Sequence, residues 1–173
     1  GNDPRLNSIA YEPGIDIVGP SGAVIELEKF NPGDPDALGW SFKKYVPKNT
    51  ELPAQATNGS FGGNVIIGRL ADVYLLYAEV LNAQGEDAMA AEYMNKVRRR
   101  AYGFDPNAPQ ADVDYVGLAG DQLRDSIREE RYRELFGEGH RWYDIIRWRT
   151  LEEELAKYPT SRAGDVIFNS TDY

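Results

Sequence analysis

His140 is the single histidine of the chain, and it lies two residues after Glu138. A histidine beside a carboxylate could act as a general acid and base. A carboxylate and a histidine that bind one metal ion from a helix are usually three or four residues apart. The spacing of two between Glu138 and His140 does not fit that pattern, so we predict no metal site here.

Charged residues on both sides of Gly137 offer a simpler role for His140. We expect five side chains to form a buried or half-buried network that joins the helix before Gly137 to the helix after Gly139: Glu130, Glu134, His140, Arg141 and Asp144. Buried carboxylates need such partners, because an uncompensated buried charge is costly. Gly137-Glu138-Gly139 is not a nucleotide-binding fingerprint, since no third glycine follows and no strand precedes it.

Composition narrows the classes of function. The 19 basic and 28 acidic residues give a net charge of −9, which disfavours nucleic acid as a partner. The chain has no cysteine, so disulfides, thiolate metal sites and cysteine nucleophiles are excluded. We predict no cofactor, and the 28 acidic residues single out no glycosidase pair.

No run of residues reaches the roughly 18 uncharged apolar positions of a membrane span. The first residues, Gly1 to Pro4, lack the basic and apolar regions of a signal peptide. We expect a soluble chain, or a soluble piece of something larger.

The frequency of glycine and proline changes at residue 63, and this change divides the chain into two regions. Residues 1–63 hold nine glycines and seven prolines, which predicts loops with short strands near 24–27 and 39–47. Residues 64–102 hold two glycines and no proline, and their apolar positions take helical spacing. We predict a loop-rich extension over 1–63 and a helical region over 64–173, as one domain or a fragment of a longer chain.

Two helices open the helical region, over about 65–84 and 88–101. The first is apolar on more than one side, so we expect it to be buried, with Gly85 closing it and Asp87 capping the next helix. A tight turn between two such helices predicts an antiparallel pair of the tetratricopeptide-like kind, which needs a neighbour to cover it.

The later elements alternate with loops. The sequence of residues 103–120 predicts a surface loop. That of residues 121–136 predicts a helix with Asp121 as its cap. Its polar face carries ion pairs at spacings of three and four, such as Glu129 with Arg133. A fourth helix begins near His140, and a last turn or two follows Thr150.

The amino-acid sequence of these helices closely resembles the C-terminal part of the SusD/RagB family of outer-membrane nutrient-binding lipoproteins of Bacteroidetes. The resemblance is carried by residues 67–79, 91–98 and 128–144, which read IGRLADVYLLYAE, AEYMNKVR and REERYRELFGEGHRWYD. Residues 2–5 and 43–46 are similar to the segments that precede those helices in the family.

The resemblance implies a mainly α, tetratricopeptide-like, SusD-like fold and a glycan-binding or nutrient-binding protein without catalytic activity. The implied partners are an oligosaccharide or polysaccharide and a SusC-like TonB-dependent transporter. The implied location is the surface of the outer membrane, through a lipid anchor that this chain lacks. Family members are several hundred residues long, so the sugar site can lie partly or wholly outside these 173 residues.

Sugars present apolar C–H faces and hydroxyl rims, so a binding platform needs an exposed aromatic plane with polar groups at its edge. Trp40, Phe42 and Tyr45 are the best candidates, because they accompany two lysines in the loop-rich segment. The simpler interpretation, which we favour for Trp40 and Phe42, is the inward face of a short strand. Trp142 and Trp148 have helical spacing with isoleucines and are predicted to lie in the core or between helices.

A second class of function fits the same helices. A tetratricopeptide-like module without carbohydrate affinity would bind a peptide or partner helix along its concave side. Exposed Trp40 and Tyr45 would favour glycan binding, whereas an open apolar groove would favour a protein partner.

Overall fold

The structure is a computed structural model, and it describes residues 3–11, 16–18, 24–26, 41–42, 44 and 66–156. The chain is mainly α-helical, as predicted. The described residues form six helices: α1 (Leu6–Ile9), α2 (Leu70–Ala83), α3 (Asp87–Ala101), α4 (Gly120–Glu134), α5 (His140–Arg147) and α6 (Leu151–Ala156). Four short strands precede α2: β1 (Ala10–Tyr11), β2 (Asp16–Val18), β3 (Val24–Glu26) and β4 (Ser41–Phe42).

The strands form two small antiparallel pairs. β1 pairs with β4, so that Ala10 faces Phe42, and β2 pairs with β3, so that Ile17 faces Ile25. Both predicted strand regions therefore contain a strand, although each strand is only two or three residues long.

Contacts divide the chain into two compact units, residues 1–137 and residues 138–173. The predicted boundary at residue 63 lies outside the described residues and remains a prediction.

The core of the first unit lies where α2, α3 and α4 pack against one another. Three side chains of α2 interlock with three of α3 and two of α4, and all are buried: Leu75, Ala78, Leu81, Ala90, Met94, Val97, Leu123 and Ile127. They recur at three- and four-residue steps along each helix, so each helix places one apolar stripe in the core.

The turn between α2 and α3 follows the prediction in one respect. Gly85 has a φ of 81°, in the left-handed region, and its N–H donates to the carbonyl of Asn82 at 3.0 Å. This is the conformation that glycine adopts at a helix C-terminus at little cost. A connection of only three residues makes α2 and α3 an antiparallel pair.

The predicted caps are wrong. Neither α3 nor α4 has a side-chain cap, and their N-cap residues are Glu86 and Ala119. Asp87 instead joins two elements, because its carboxylate accepts hydrogen bonds from Asn82 Nδ2 at 2.7 Å and from Gly120 N at 2.9 Å. Asp87, which we predicted to cap α3, thus links the start of α3 to the start of α4.

The expected burial of the first helix is also wrong for one of its sides. α2 begins at Leu70 rather than near residue 65, and only Leu75, Ala78 and Leu81 are buried. Ala71 and Tyr74 are partly buried against the core, and the other apolar side chains of α2 are exposed, since α3 and α4 cover only part of its circumference.

Arg99 fastens the connection between α3 and α4. Its buried guanidinium donates through Nε and Nη2 to the two oxygens of Asp114, at 2.8 Å and 2.7 Å. It also donates to Glu92 and to the carbonyl of Pro106. The hydrogen bonds from Arg99 lower the pKa of the Asp114 carboxyl, outweighing the desolvation that acts to raise it.

This pairing predicts a pH dependence of stability. Because the pKa of Asp114 is lower in the folded state, its contribution is complete above its unfolded pKa of about 3.9 and is lost as the pH falls through the folded pKa. We expect Asp114→Asn to lower the free energy of unfolding at pH 7 by about 2 kcal/mol, the scale of a hydrogen bond to a charged group. Urea unfolding at a series of pH values should show this difference shrinking below pH 3.9. A difference that stayed constant to the lowest pH would contradict this account.

Candidate functional site

A buried polar cluster of the first unit lies around two glutamates of α4, Glu130 and Glu134. Both side chains are buried, with exposed fractions of 0% and 3%. We call them, together with the four guanidiniums that bind them, the glutamate cluster: Arg5, Arg69, Arg98 and Arg100.

Three separate segments supply these four guanidiniums. Arg5, just before α1, donates to Glu130 at 2.7 Å and to Glu134 at 3.1 Å. Arg69, at the N-cap of α2, donates to the Glu134 carboxylate and, at 2.6 Å, to its backbone carbonyl. Because the guanidiniums come from the N-terminal segment, α2 and α3, the cluster joins these three parts of the chain to α4.

Two further residues complete the cluster. Arg98 and Arg100 of α3 bind Glu130 and Glu134 respectively. Lys44 reaches the same end of α4, where its Nζ donates to the carbonyls of Glu134 and Phe136.

Electrostatics support a structural role for the cluster. Burial acts to lower the pKa of Arg5, but its bonds to Asp3 and Glu130 more than compensate and raise that pKa. The same bonds to Arg5 lower the pKa of Asp3 against the effect of burial. A guanidinium fixed in its charged form by carboxylates neither gives up nor accepts a proton near neutral pH, so the guanidinium of Arg5 is suited to fixing positions.

The five residues of the predicted network fall in both units. Glu130 and Glu134 lie in the first unit within the glutamate cluster. In the second unit, Asp144 accepts from Arg147 at 2.9 Å and Arg141 donates to Glu154 at 2.6 Å. The predicted direct contact between α4 and α5 through this network remains a prediction.

Sequence reasoning missed the arginine partners of the glutamates. Arg98 and Arg100 lie in the last turn of α3, and each binds a specific carboxylate of α4. Arg5 lies 125 residues from Glu130 along the chain, so no local spacing could have predicted the pair.

The residues predicted to contact sugar are only partly described. Trp40 and Tyr45 lie outside the described residues, and Phe42 is described only as the backbone of β4. These three candidates therefore remain predictions.

An aromatic surface that the sequence did not predict lies on α5. Trp142 and Tyr143 have exposed fractions of 55% and 72%, and Ile146 beside them is also exposed. We call these three residues the α5 aromatic face. The expectation that Trp142 lies in the core or between helices is wrong, because the buried side chains of α5 are Asp144 and Ile145.

A guanidinium is fixed beside the α5 aromatic face. Tyr143 and Arg147 are four residues apart, so they are neighbours on one side of the helix. The guanidinium of Arg147 binds the buried carboxylate of Asp144 and lies 4.8 Å from the centroid of the Trp148 ring. Exposed aromatic rings and a bound guanidinium are the kinds of side chain that a sugar-binding surface needs.

The described part of the chain supports neither a metal site nor a membrane-spanning helix. No group of three or more histidines, aspartates or glutamates there could hold a metal ion. No helix within those residues has the length and apolar character to cross a membrane.

The antiparallel pair α2–α3, with α4 packed on both helices, defines a tetratricopeptide-like α-helical protein. Comparison with known proteins identifies it further, because residues 30–171 match the SusD family. The chain belongs to the SusD family.

Relatives agree with this assignment. SusD-like protein P25 of Formosa agariphila is 47% identical over 88 residues, which cover 51% of this chain and 16% of that protein. SusD-like protein P38 of the same organism is 39% identical over 93 residues, covering 53% and 18%.

Solved structures show the same fold. A SusD-like protein of Bacteroides fragilis aligns with a TM-score of 0.68 and 25% identity over 88% of this chain and 29% of its own. A SusD homolog of Bacteroides thetaiotaomicron aligns with a TM-score of 0.54 and 34% identity over 70% and 23%. The chain thus spans less than a third of each of these proteins.

Proposed function

We propose that this chain is part of a cell-surface protein that binds an oligosaccharide or polysaccharide for import through a SusC-like TonB-dependent transporter. Membership of the SusD family is the observation that carries this proposal. It also supports a location at the outer membrane and a binding role without catalysis.

Within the described residues, the α5 aromatic face is the surface best suited to hold a sugar. It combines an exposed indole and an exposed phenol with the fixed guanidinium of Arg147. One of these rings would stack on the apolar side of a pyranose, and the guanidinium, four residues from Tyr143, would donate to its hydroxyls. Trp40, Phe42 and Tyr45 remain the second proposed group of sugar contacts.

The proposal predicts a measurable loss of affinity. We expect the chain to be retarded in gels that contain a matching polysaccharide, and Trp142→Ala to weaken that retention about tenfold. An aromatic contact contributes up to about 1.5 kcal/mol, which corresponds to roughly a factor of ten in affinity. Affinity electrophoresis against a panel of polysaccharides measures the effect.

Matched variants separate the two groups of aromatic residues. Trp40→Ala tests the N-terminal group, and Trp148→Phe is the control, because it retains a ring at a position that contacts the protein's own arginines. If a polysaccharide retards the wild type and neither alanine variant, both proposed contact groups are wrong. If none retards the wild type, the binding role of this chain is wrong.

A protein-binding scaffold is the second candidate function, and one observation favours it. The exposed side of α2 is apolar along its whole length, as a surface for a partner helix would be.

A further inference from the structure

The connection between α3 and α4 is long and irregular. It spans residues 102–119, which the structure describes throughout, and it contains no helix or strand of its own. Loops longer than about 12–15 residues without secondary structure are uncommon in compact domains, and most of them are either functional or disordered. We call this connection the α3–α4 loop.

Side chains of α3 hold the α3–α4 loop by its backbone. The amide of Asn95 pairs with Tyr115 in both directions, because Nδ2 donates to the Tyr115 carbonyl at 3.0 Å and Oδ1 accepts from the Tyr115 N–H at 2.9 Å. Arg98 Nε donates to the carbonyl of Val113 at 2.6 Å. Since each of these bonds fixes a backbone group, they define the path of the chain through this part of the loop.

Arg99 holds the loop at two further places. Its Nε and Nη2 donate to Asp114, its Nη1 donates to the carbonyl of Pro106, and its Nη1 and Nη2 also donate to Glu92 of α3 itself. Pro106 lies in the first half of the loop and Asp114 in the second. One buried guanidinium therefore fixes both halves of the loop against the same helix.

The two buried polar residues of α3 are costly ones. Asn95 and Arg99 have exposed fractions of 5% and 1%. Burying a polar side chain is unfavourable unless hydrogen bonds compensate, and apolar residues of similar volume often replace buried ionic groups without loss of stability. An apolar side chain, however, cannot fix a backbone N–H or carbonyl. The buried polar pair is therefore better explained by the shape of the loop than by the packing of the helices.

We infer that Asn95 and Arg99 hold the α3–α4 loop in a single preformed shape, so that the loop opens together with α3 and not as a separate flexible connection. Tyr115 and Leu118 of the same loop pack against the apolar core, which favours such a common opening. A preformed loop loses little conformational entropy when its residues contact a partner. The loop is thus a rigid element of the fold, and Asn95 is a positioning residue within it.

Amide hydrogen exchange of the whole chain tests the inference at two loop amides that do not bond to Asn95. The N–H groups of Val113 and Asp114 both donate to the carbonyl of Gln110, at 3.1 Å and 2.8 Å. After correction for intrinsic rates, these amides of the wild type should exchange within about tenfold of the rate at Met94, a buried residue of α3.

Asn95→Leu should loosen the loop selectively. Leucine fills the space of the asparagine but leaves the N–H and carbonyl of Tyr115 without their partner, and these groups regain hydrogen bonds only by moving to water. We expect exchange at Val113 and Asp114 to accelerate by about tenfold more than exchange at Ile127, a buried residue of α4.

Lys96→Met is the matched control, because Lys96 is the next residue of α3 and its bond to the side chain of Asn107 is exposed. It should leave exchange at both loop amides at the wild-type rate, and circular dichroism should show that each variant keeps its helices. The inference is overturned if the wild-type loop amides exchange more than about tenfold faster than Met94, or if Asn95→Leu and Lys96→Met have the same effect. The wild-type comparison requires no variant, so it decides the inference if Asn95→Leu fails to fold.

Discussion

Replacing Arg131 with methionine should lower the free energy of unfolding by about 3–5 kcal/mol, the cost of removing one partner from a buried ion pair. Arg131 has an exposed side-chain fraction of 2% and donates to Asp72 at 2.8 Å, with Glu79 at 3.5 Å. Both carboxylates belong to α2, so the guanidinium of Arg131 links α4 to α2. Methionine keeps the length of the side chain and removes its charge.

Urea unfolding, followed by circular dichroism, measures this loss. The control is Arg124→Met on the same helix, because Arg124 is 40% exposed and binds only exposed carboxylates. Its cost should stay below about 1 kcal/mol, as for other surface ion pairs. Equal effects of the two substitutions would show that the pairing of Arg131 is not a buried one.

A rescue experiment separates charge from packing at Arg131. Adding Asp72→Asn and Glu79→Gln to Arg131→Met removes the two negative charges that the guanidinium compensates. Part of the lost stability should return, since replacing a whole buried ionic group with neutral residues is often close to neutral in free energy. Additive losses in the triple variant would contradict the charge explanation.

The helices could be predicted from the sequence because their signals are local. Apolar residues at steps of three and four predicted α3 and α4, and Gly85 predicted the turn before α3. The surface ion pair between Glu129 and Arg133 was also predicted, and its 3.0 Å distance confirms it. Each of these features depends on residues within one or two helical turns.

What the sequence did not predict depends on long-range neighbours. The partners of Glu130 and Glu134 come from Arg5, Arg69, Arg98 and Arg100, between 32 and 129 positions away. The side of α2 that stays exposed depends on where α3 and α4 pack, because apolar spacing alone gives no direction. Exposure of Trp142 was missed for the same reason, since a helix with apolar residues on two sides does not show which one is buried.

Three guanidiniums meet at Glu134, so its removal should be as costly as that of Arg131. Its carboxylate binds Arg5, Arg69 and Arg100, which come from three different segments. We expect Glu134→Ala to cost about 3–5 kcal/mol, because it leaves three positive charges without their shared carboxylate. Glu134→Gln should cost less, since the amide oxygen still accepts hydrogen bonds.

The loss at Glu134 should also have a local signature that global unfolding would not show. Arg5 fixes α1 beside α4 through Glu134 and Glu130, so Glu134→Ala should speed amide hydrogen exchange at Ile9, whose N–H donates to the carbonyl of Arg5. An increase of about tenfold corresponds to 1.4 kcal/mol of local opening. Glu129→Gln is the matched control, because it makes the acid-to-amide change on the same helix at a glutamate that is 51% exposed. If Glu129→Gln and Glu134→Gln have the same effect on stability and exchange, the cluster does not anchor the N-terminal segment.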